Sequence, residues 1–317
     1  MSFTRRRGLI TMGAALLPGF AHAQPQQALQ RPLAAKSLCL DLAWAGQRLV
    51  AVGERGHVLL SDDQGQSWRQ ARSVPSRTTL TALHASDART LWAAGHGGTL
   101  LRSGDGGEHW QPISTGLDAG DTLLALRVEP GGAGLAVGGF GLALRSQDGG
   151  ASWERAELLP GEAGERHLNR IFVSARGTWL IAAENGAILR SEDRGAHWQL
   201  VATPYAGSLW SGLALHDGTL LACGMRGNLV RSSDDGRSWK HQALREAGSL
   251  TAMALRADHR PVIVGVDGSL LSGDLSGERF AFSRLDDRAS LTAALVLPSG
   301  ELLVASTAGL RRIALPA

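Results

Sequence analysis

The chain has 317 residues, 44% of them apolar, with 41 glycines and nine tryptophans. That describes a turn-rich folded protein and excludes a disordered chain, and the lack of a three-residue glycine period excludes a collagen. Formal charge is +3, but Arg5, Arg6 and Arg7 lie in the first 23 residues with no acid beside them, so the remainder is balanced and a strongly cationic nucleic-acid binder is excluded.

Residues 1–23 run through the arginine cluster, a short apolar stretch ending at Phe20, and Ala21-His22-Ala23. Basic, apolar and small-residue regions in that order predict an export signal cleaved after Ala23. The arginine pair resembles a twin-arginine leader, so a periplasmic location is expected. No later stretch holds about 18 consecutive apolar residues, so no membrane insertion is expected once the leader is gone.

From residue 24 to 317 one period organises the chain as a single domain. Ser-x-Asp-x-Gly-x-x-Trp occurs five times: Ser61-Asp63-Gly65-Trp68, Ser103-Asp105-Gly107-Trp110, Ser146-Asp148-Gly150-Trp153, Ser191-Asp193-Gly195-Trp198 and Ser232-Asp234-Gly236-Trp239. A decayed copy runs from Ser272 to Phe280. Upstream of each stands a turn glycine, and that position recurs seven times, at Gly56, Gly98, Gly141, Gly186, Gly227, Gly268 and Gly309. Each unit parses into four short apolar runs separated by Gly, Asp and Ser; in the second unit these are Leu80–Ala85, Leu91–Gly95, Thr99–Ser103 and Glu108–Ile113. Runs of about five residues are strands. Four antiparallel strands per unit of about 40 to 50 residues predict an all-β, seven-bladed β-propeller.

Within each octapeptide, Asp and Ser bond across a tight turn, the glycine supplies a positive φ, and the tryptophan fills the gap between blades. A structural role is therefore assigned to these residues. The seventh unit stops after three strands, and residues 25–36 are expected to supply its outer strand, closing the ring and removing two edges. Cys39 and Cys223 lie four units apart and read as buried, unbridged thiols.

These octapeptides are the Asp-box, or BNR, repeat of sialidases and other propellers. The string from Ala51 to Trp68 resembles the photosystem II stability/assembly factor family and its non-photosynthetic bacterial relatives. That resemblance implies a non-enzymatic propeller that binds a membrane-protein client during assembly; in heterotrophs the clients would be other envelope complexes, including transporters.

In a blade, the turn between the second and third strands shares one rim with the link to the next blade, and the octapeptides occupy the other. Side chains that vary inside a regular frame are candidates for function. On that first rim the candidate binding residues are Arg55, Arg77, His96, Phe140, Arg166, His167, Tyr205, Arg226, Asp267 and Arg288. Arginine and aromatic residues are favoured at interface hot spots. A second set, Arg102, Arg145, Arg190 and Arg231, repeats blade by blade and is expected to pack between blades with its heads paired to acids.

A glycoside hydrolase is the alternative. Its chemistry needs two carboxylates about 5 to 9.5 Å apart, or a tyrosine nucleophile with an acidic partner. Asp121, Glu165 and Asp267 could meet across the channel mouth, though no sequence feature pairs them, and Tyr205 is the one tyrosine. No Gly-x-Ser-x-Gly elbow and no metal-ligand spacing occurs. The sequence therefore predicts no catalytic residue, no cofactor and no metal. It predicts a monomeric scaffold for a membrane or envelope protein client, without affinity for nucleic acid.

Overall fold

The computed structural model describes residues 26–130, 132–244 and 246–315; the predicted leader lies outside them. It is a seven-bladed antiparallel propeller, with six blades of four strands and one of three, and no α-helix among the described residues. The innermost strands are Cys39–Ala45, Leu80–Ala85, Leu123–Val128, Leu168–Val173, Leu209–Ala214, Leu250–Leu255 and Leu291–Val296. Each lies beside the next, and the seventh lies beside the first. Second strands such as Leu91–Gly95 and Trp179–Ala183 are buried along their whole length, because a neighbouring blade covers each face.

Seven apolar clusters fill the seven seams between blades. Trp110 reaches Val50 and Val52 of blade 1, Trp198 reaches Leu135 and Val137 of blade 3, and Trp239 reaches Leu180 of blade 4. Trp153 meets Trp92 edge-on at 6.0 Å. In blade 6, which lacks the tryptophan, Phe280 and Phe282 take its place against blade 5.

The octapeptides form one repeated turn. In the first, the Ser61 hydroxyl donates to Asp63 Oδ1 at 2.7 Å while accepting from the Gly65 amide at 2.8 Å. The Ser67 amide donates to the same carboxylate at 2.9 Å. The other four copies repeat this pattern, and in those four the indole N–H also donates to the box glycine carbonyl. The glycines are required for two reasons at Gly150: its φ is +83°, and a Cβ there would lie 2.4 Å from the Trp92 ring.

Every innermost strand carries a bulge, which leaves Leu40, Thr81, Leu124, Asn169, Trp210, Thr251 and Thr292 outside the ladder. Four of these side chains stitch one blade to the next. Asn169 Nδ2 donates to Leu209 O at 2.8 Å, Thr251 Oγ1 to Leu291 O at 2.7 Å and Thr292 Oγ1 to Cys39 O at 2.6 Å, while Thr81 Oγ1 donates to Leu123 O. The stitch from Thr292 joins the last blade to the first.

The expected closure by an outer strand is corrected. The seventh sheet has three strands among the described residues, Leu291–Val296, Leu302–Ser306 and Gly309–Ile313. Residues 26–36 form no strand on it, because their hydrogen bonds go to the outer edge of blade 1 and Pro32 has no N–H to offer. The Ala28 amide donates to Val74 O at 2.8 Å, the Gln30 side chain to Ala71 O at 2.8 Å, and the Gln70 side chain to Leu29 O at 3.0 Å. Ala34 and Ala35 then wedge between Leu59 and Trp68 of blade 1 and Leu303 and Leu310 of blade 7. The segment is a clasp across the seam. The open edge of blade 7 carries Arg311 and Arg312, paired to Asp287 and Glu301, which discourages edge-to-edge association.

Both cysteines are free and buried, in blades 1 and 5. Burial, with Glu54 nearby, pushes the Cys39 thiol up to about 12, and burial pushes Cys223 up as well. Of the repeated arginines, Arg190 behaves as expected, its head buried on Asp235 at 2.9 Å and Glu192 at 2.6 Å. Arg231 donates to Ser276 O and approaches Glu278 at 3.8 Å, whereas Arg102 lies over the Trp92 ring.

Two outcomes follow from this packing. Gly150→Ala should lose about 2 to 4 kcal/mol in urea unfolding, from the left-handed backbone and the overpacked Trp92 together. The Ser67 hydroxyl, the Ser67 amide and the Ser61 hydroxyl hold Asp63 down at about 2, and Ser152 and Ser146 do the same for Asp148. A carboxyl held below its unfolded pKa of about 3.9 stabilises the fold above that value, and the stabilisation is lost as pH falls through the folded value. Urea midpoints should therefore drop between about pH 4 and pH 2, and Asp63→Asn, which cannot titrate, should flatten that slope.

Candidate functional site

The rim opposite the octapeptides is built by close contact between each second-to-third-strand turn and the adjoining inter-blade link. The Gly98 amide donates to Asp121 O at 2.9 Å, Gly141 to Arg166 O at 2.8 Å, Gly186 to Gly207 O at 2.7 Å and Gly268 to Ala289 O at 3.1 Å. A Cβ at Gly186 would fall 1.4 Å from Tyr205 O, so only glycine lets the two backbones approach.

In six of the seven blades the residue before the turn glycine is left-handed. Arg55, Phe140, Asn185, Arg226 and Asp267 have φ between 53° and 58°. Asn and Asp tolerate that region, whereas for Arg and Phe it costs about 1 kcal/mol or more. Blades 1, 3 and 5 accept this strain and project a large side chain from the rim. Arg55 has its side chain 72% exposed and approaches Glu54 at 4.0 Å. Phe140 is 80% exposed, the most exposed large hydrophobic side chain among the described residues.

Phe140 stands over a cavity of about 410 Å³ that also gathers His96 and His167. The Phe140 and His167 rings lie 4.6 Å apart. Leu124, Leu142 and Ala143 line its apolar part, and Asp121 and Arg155, paired at 2.9 Å, supply a charged wall. An aromatic residue, an apolar floor and a few convergent polar groups are what binding pockets are made of. Three of the ten sequence-derived candidates therefore come together here.

The other seven lie elsewhere on the rim and are engaged to different degrees. Arg77 Nε donates to Gln27 O at 2.8 Å, latching the clasp. Arg166 closes its own loop on Ala163 O at 2.7 Å. The Tyr205 hydroxyl donates to Met225 O at 3.0 Å and its ring stacks on His241, and burial pushes its pKa up. Asp267 lies 3.6 Å from both Arg284 and Arg288. Arg226 bonds through its backbone amide to Ser249 Oγ at 3.2 Å, beside Tyr205, and joins Arg55 as an outward-facing cation.

The acids required by the glycosidase alternative are not assembled. Asp121 faces Arg155, Asp267 sits between two arginines, and neither Glu165 nor Asp267 lines the cavity beside Asp121.

Sequence reasoning missed Arg155, which follows an octapeptide tryptophan and reads as repeat. It also missed a charge pair on the axis. Asp41, 3% exposed, accepts from the Leu42 amide at 3.0 Å, the Leu83 amide at 2.9 Å and Arg170 Nη1 at 3.0 Å, joining blades 1, 2 and 4. Its signal was an acid inside the apolar run Leu40-Asp41-Leu42.

Asp41→Ala leaves two buried amides and a guanidinium without an acceptor and should lose about 3 kcal/mol in urea unfolding. Arg170→Met leaves Asp41 its two amide donors and should lose less than half as much.

No protein-family model and no curated protein matches the sequence. Solved structures do match over nearly the whole chain. YCF48 bound to D1 peptide is 17% identical at TM-score 0.70, covering 92% of this chain and 97% of its own. Virginiamycin B lyase from Staphylococcus aureus is 11% identical at TM-score 0.74, covering 92% and 99%. The WD40 β-propeller domain of Doa1 is 14% identical at TM-score 0.68, covering 91% and 95%. At these identities the likeness is one of fold.

Proposed function

We propose that this chain is a non-catalytic scaffold or assembly factor of the cell envelope, which holds a segment of a membrane or envelope protein client on the rim opposite its octapeptides. The observation that carries this reading is Phe140: a left-handed, strained aromatic residue, exposed above a preformed cavity. A fold does not keep an apolar ring in water at a conformational cost for its own stability, and interface anchors are of this type. Arg155 lines the same cavity, and Arg55 and Arg226 project from the same rim in blades 1 and 5, cations suited to a protein surface.

Two further lines support the reading. The leader expected at residues 1–23 would place the protein in the periplasm, where clients of envelope complexes are exposed. A propeller of the same architecture, YCF48, has been solved with a D1 peptide bound, so a client held by this fold has a structural precedent. The transporter complexes implied by the sequence resemblance are the first clients to examine.

Photo-cross-linking in intact cells from position 120, an exposed glycine on the wall of the same cavity with open space around it, followed by identification of the captured protein, tests the proposal. A discrete envelope protein should be recovered, and Phe140→Ala combined with Arg155→Ala should reduce its capture at least tenfold, about 1.4 kcal/mol, without altering the circular dichroism spectrum. Recovery of no client, together with turnover of a glycoside panel that is lost in Asp121→Asn, would overturn it.

A further inference from the structure

The axis of the propeller holds a second cavity, of about 200 Å³, lined by residues from all seven innermost strands. Those strands have no neighbour on their inner side, so the backbone groups on that edge face the cavity rather than a ladder. Asp41 shows which groups they are. Its carboxylate takes the Leu42 and Leu83 amides, and these residues lie opposite Ala51 and Ala93 in their sheets. By register, Gly212, Met253 and Ala294 hold the equivalent places, opposite Ala222, Ile263 and Val304. All three line the same cavity.

In an antiparallel pair, a residue whose amide points away from its partner strand is followed two residues on by another that does the same. The equivalent residues of different blades therefore turn their amides the same way, toward the axis. On the side of blades 1 and 2 an internal carboxylate satisfies two of them. On the side of blades 5, 6 and 7 no side-chain acceptor is bonded to them among the described residues. Arg170 stands between the two halves. It gives Nη1 to Asp41 and has its remaining guanidinium donors available, with the side chain 41% exposed.

We propose that this half of the channel is a binding site for a small oxyanion group, a carboxylate, sulfate or phosphate. Arg170 is its charged anchor, and the Gly212, Met253 and Ala294 amides are its neutral donors. Convergent backbone amides form anion sites without further charge, and a guanidinium offers a carboxylate or phosphate two parallel N–H bonds. Gly212 cannot acquire a side chain, because a Cβ there would lie 2.2 Å from the Phe172 ring. The pairing of Arg170 with Asp41 sets the direction of the effect: the built-in carboxylate competes with the incoming one for the same guanidinium.

The test is calorimetric titration of the full exported chain with acetate, sulfate and inorganic phosphate at fixed ionic strength set by chloride. One saturable site per chain is expected for at least one of them. Arg170→Gln should weaken it at least tenfold, and Asp41→Asn, which removes the competing charge, should strengthen it severalfold. A wild-type protein that binds none of the three, or an Arg170→Gln protein that binds as well as wild type, overturns the proposal. If Arg170→Gln does not fold, Asp41→Asn decides alone, since unchanged or weaker binding contradicts the competition. Anomalous diffraction from wild-type crystals soaked in selenate should place the anion between Arg170 and Gly212, and a peak only elsewhere also overturns the site. Competition by a short peptide with a free, but not an amidated, carboxyl terminus would identify the ligand as a chain end; competition by neither would identify it as a free anion, and the site stands in both cases.

Discussion

The structure depends on the seam between adjacent blades. A four-stranded sheet of this size has two apolar faces and too few residues to cover either, so each blade is stable only when both neighbours are present. The octapeptide makes that arrangement repeatable. Its serine and aspartate fix one turn geometry, its glycine lets the turn lie against the neighbouring blade, and its tryptophan fills the seam that the turn leaves open. The same eight positions perform all three tasks, so each copy joins its blade to the neighbour in the same way. The bulges on the inner strands serve the axis in the same way, and their side chains carry hydrogen bonds from blade to blade where the sheets themselves cannot.

That division explains what was readable in the amino-acid order. The repeat made the blades visible because turn chemistry is local: Ser61, Asp63, Gly65 and Trp68 act within eight residues of one another, and spacing alone identifies them. Leu80–Ala85 and Leu91–Gly95 were placed to the residue for the same reason. The clasp was misread because the choice between blade 7 and blade 1 depends on Gln30 reaching Ala71 O and Gln70 reaching Leu29 O across 41 residues, and no local pattern records those meetings. The pocket was half visible. His96, Phe140 and His167 stood out as departures from the repeat, while Arg155 was hidden by following it. Asp41 and Arg170 are 129 positions apart, and only ring closure brings them together.

The two ends of the barrel axis are used differently. On the octapeptide side, carboxylates are tied to hydroxyls and amides of their own turns and are unavailable to a partner. On the opposite side, the turns of six blades place a left-handed residue before the turn glycine, with glycine, asparagine and aspartate where the backbone is relaxed and arginine or phenylalanine where it is not. A regular frame thus carries an irregular set of side chains on one face only, and the strain at Phe140 marks where the regularity has been given up. The virginiamycin B lyase and YCF48 likenesses show that this frame is shared by proteins with unlike tasks, so the fold by itself assigns none of them.

The clasp has a consequence for how the ring gives way. Six joints between blades are backed by a covalent peptide link, and the seventh is held by its apolar seam, the Thr292 stitch and the alanine wedge. The molecule is a split washer whose cut is closed by non-covalent contacts alone. Opening at any other joint strains the link between two blades, whereas opening at the cut breaks no peptide bond. Local opening of that kind widens the bore while leaving the far side of the ring folded.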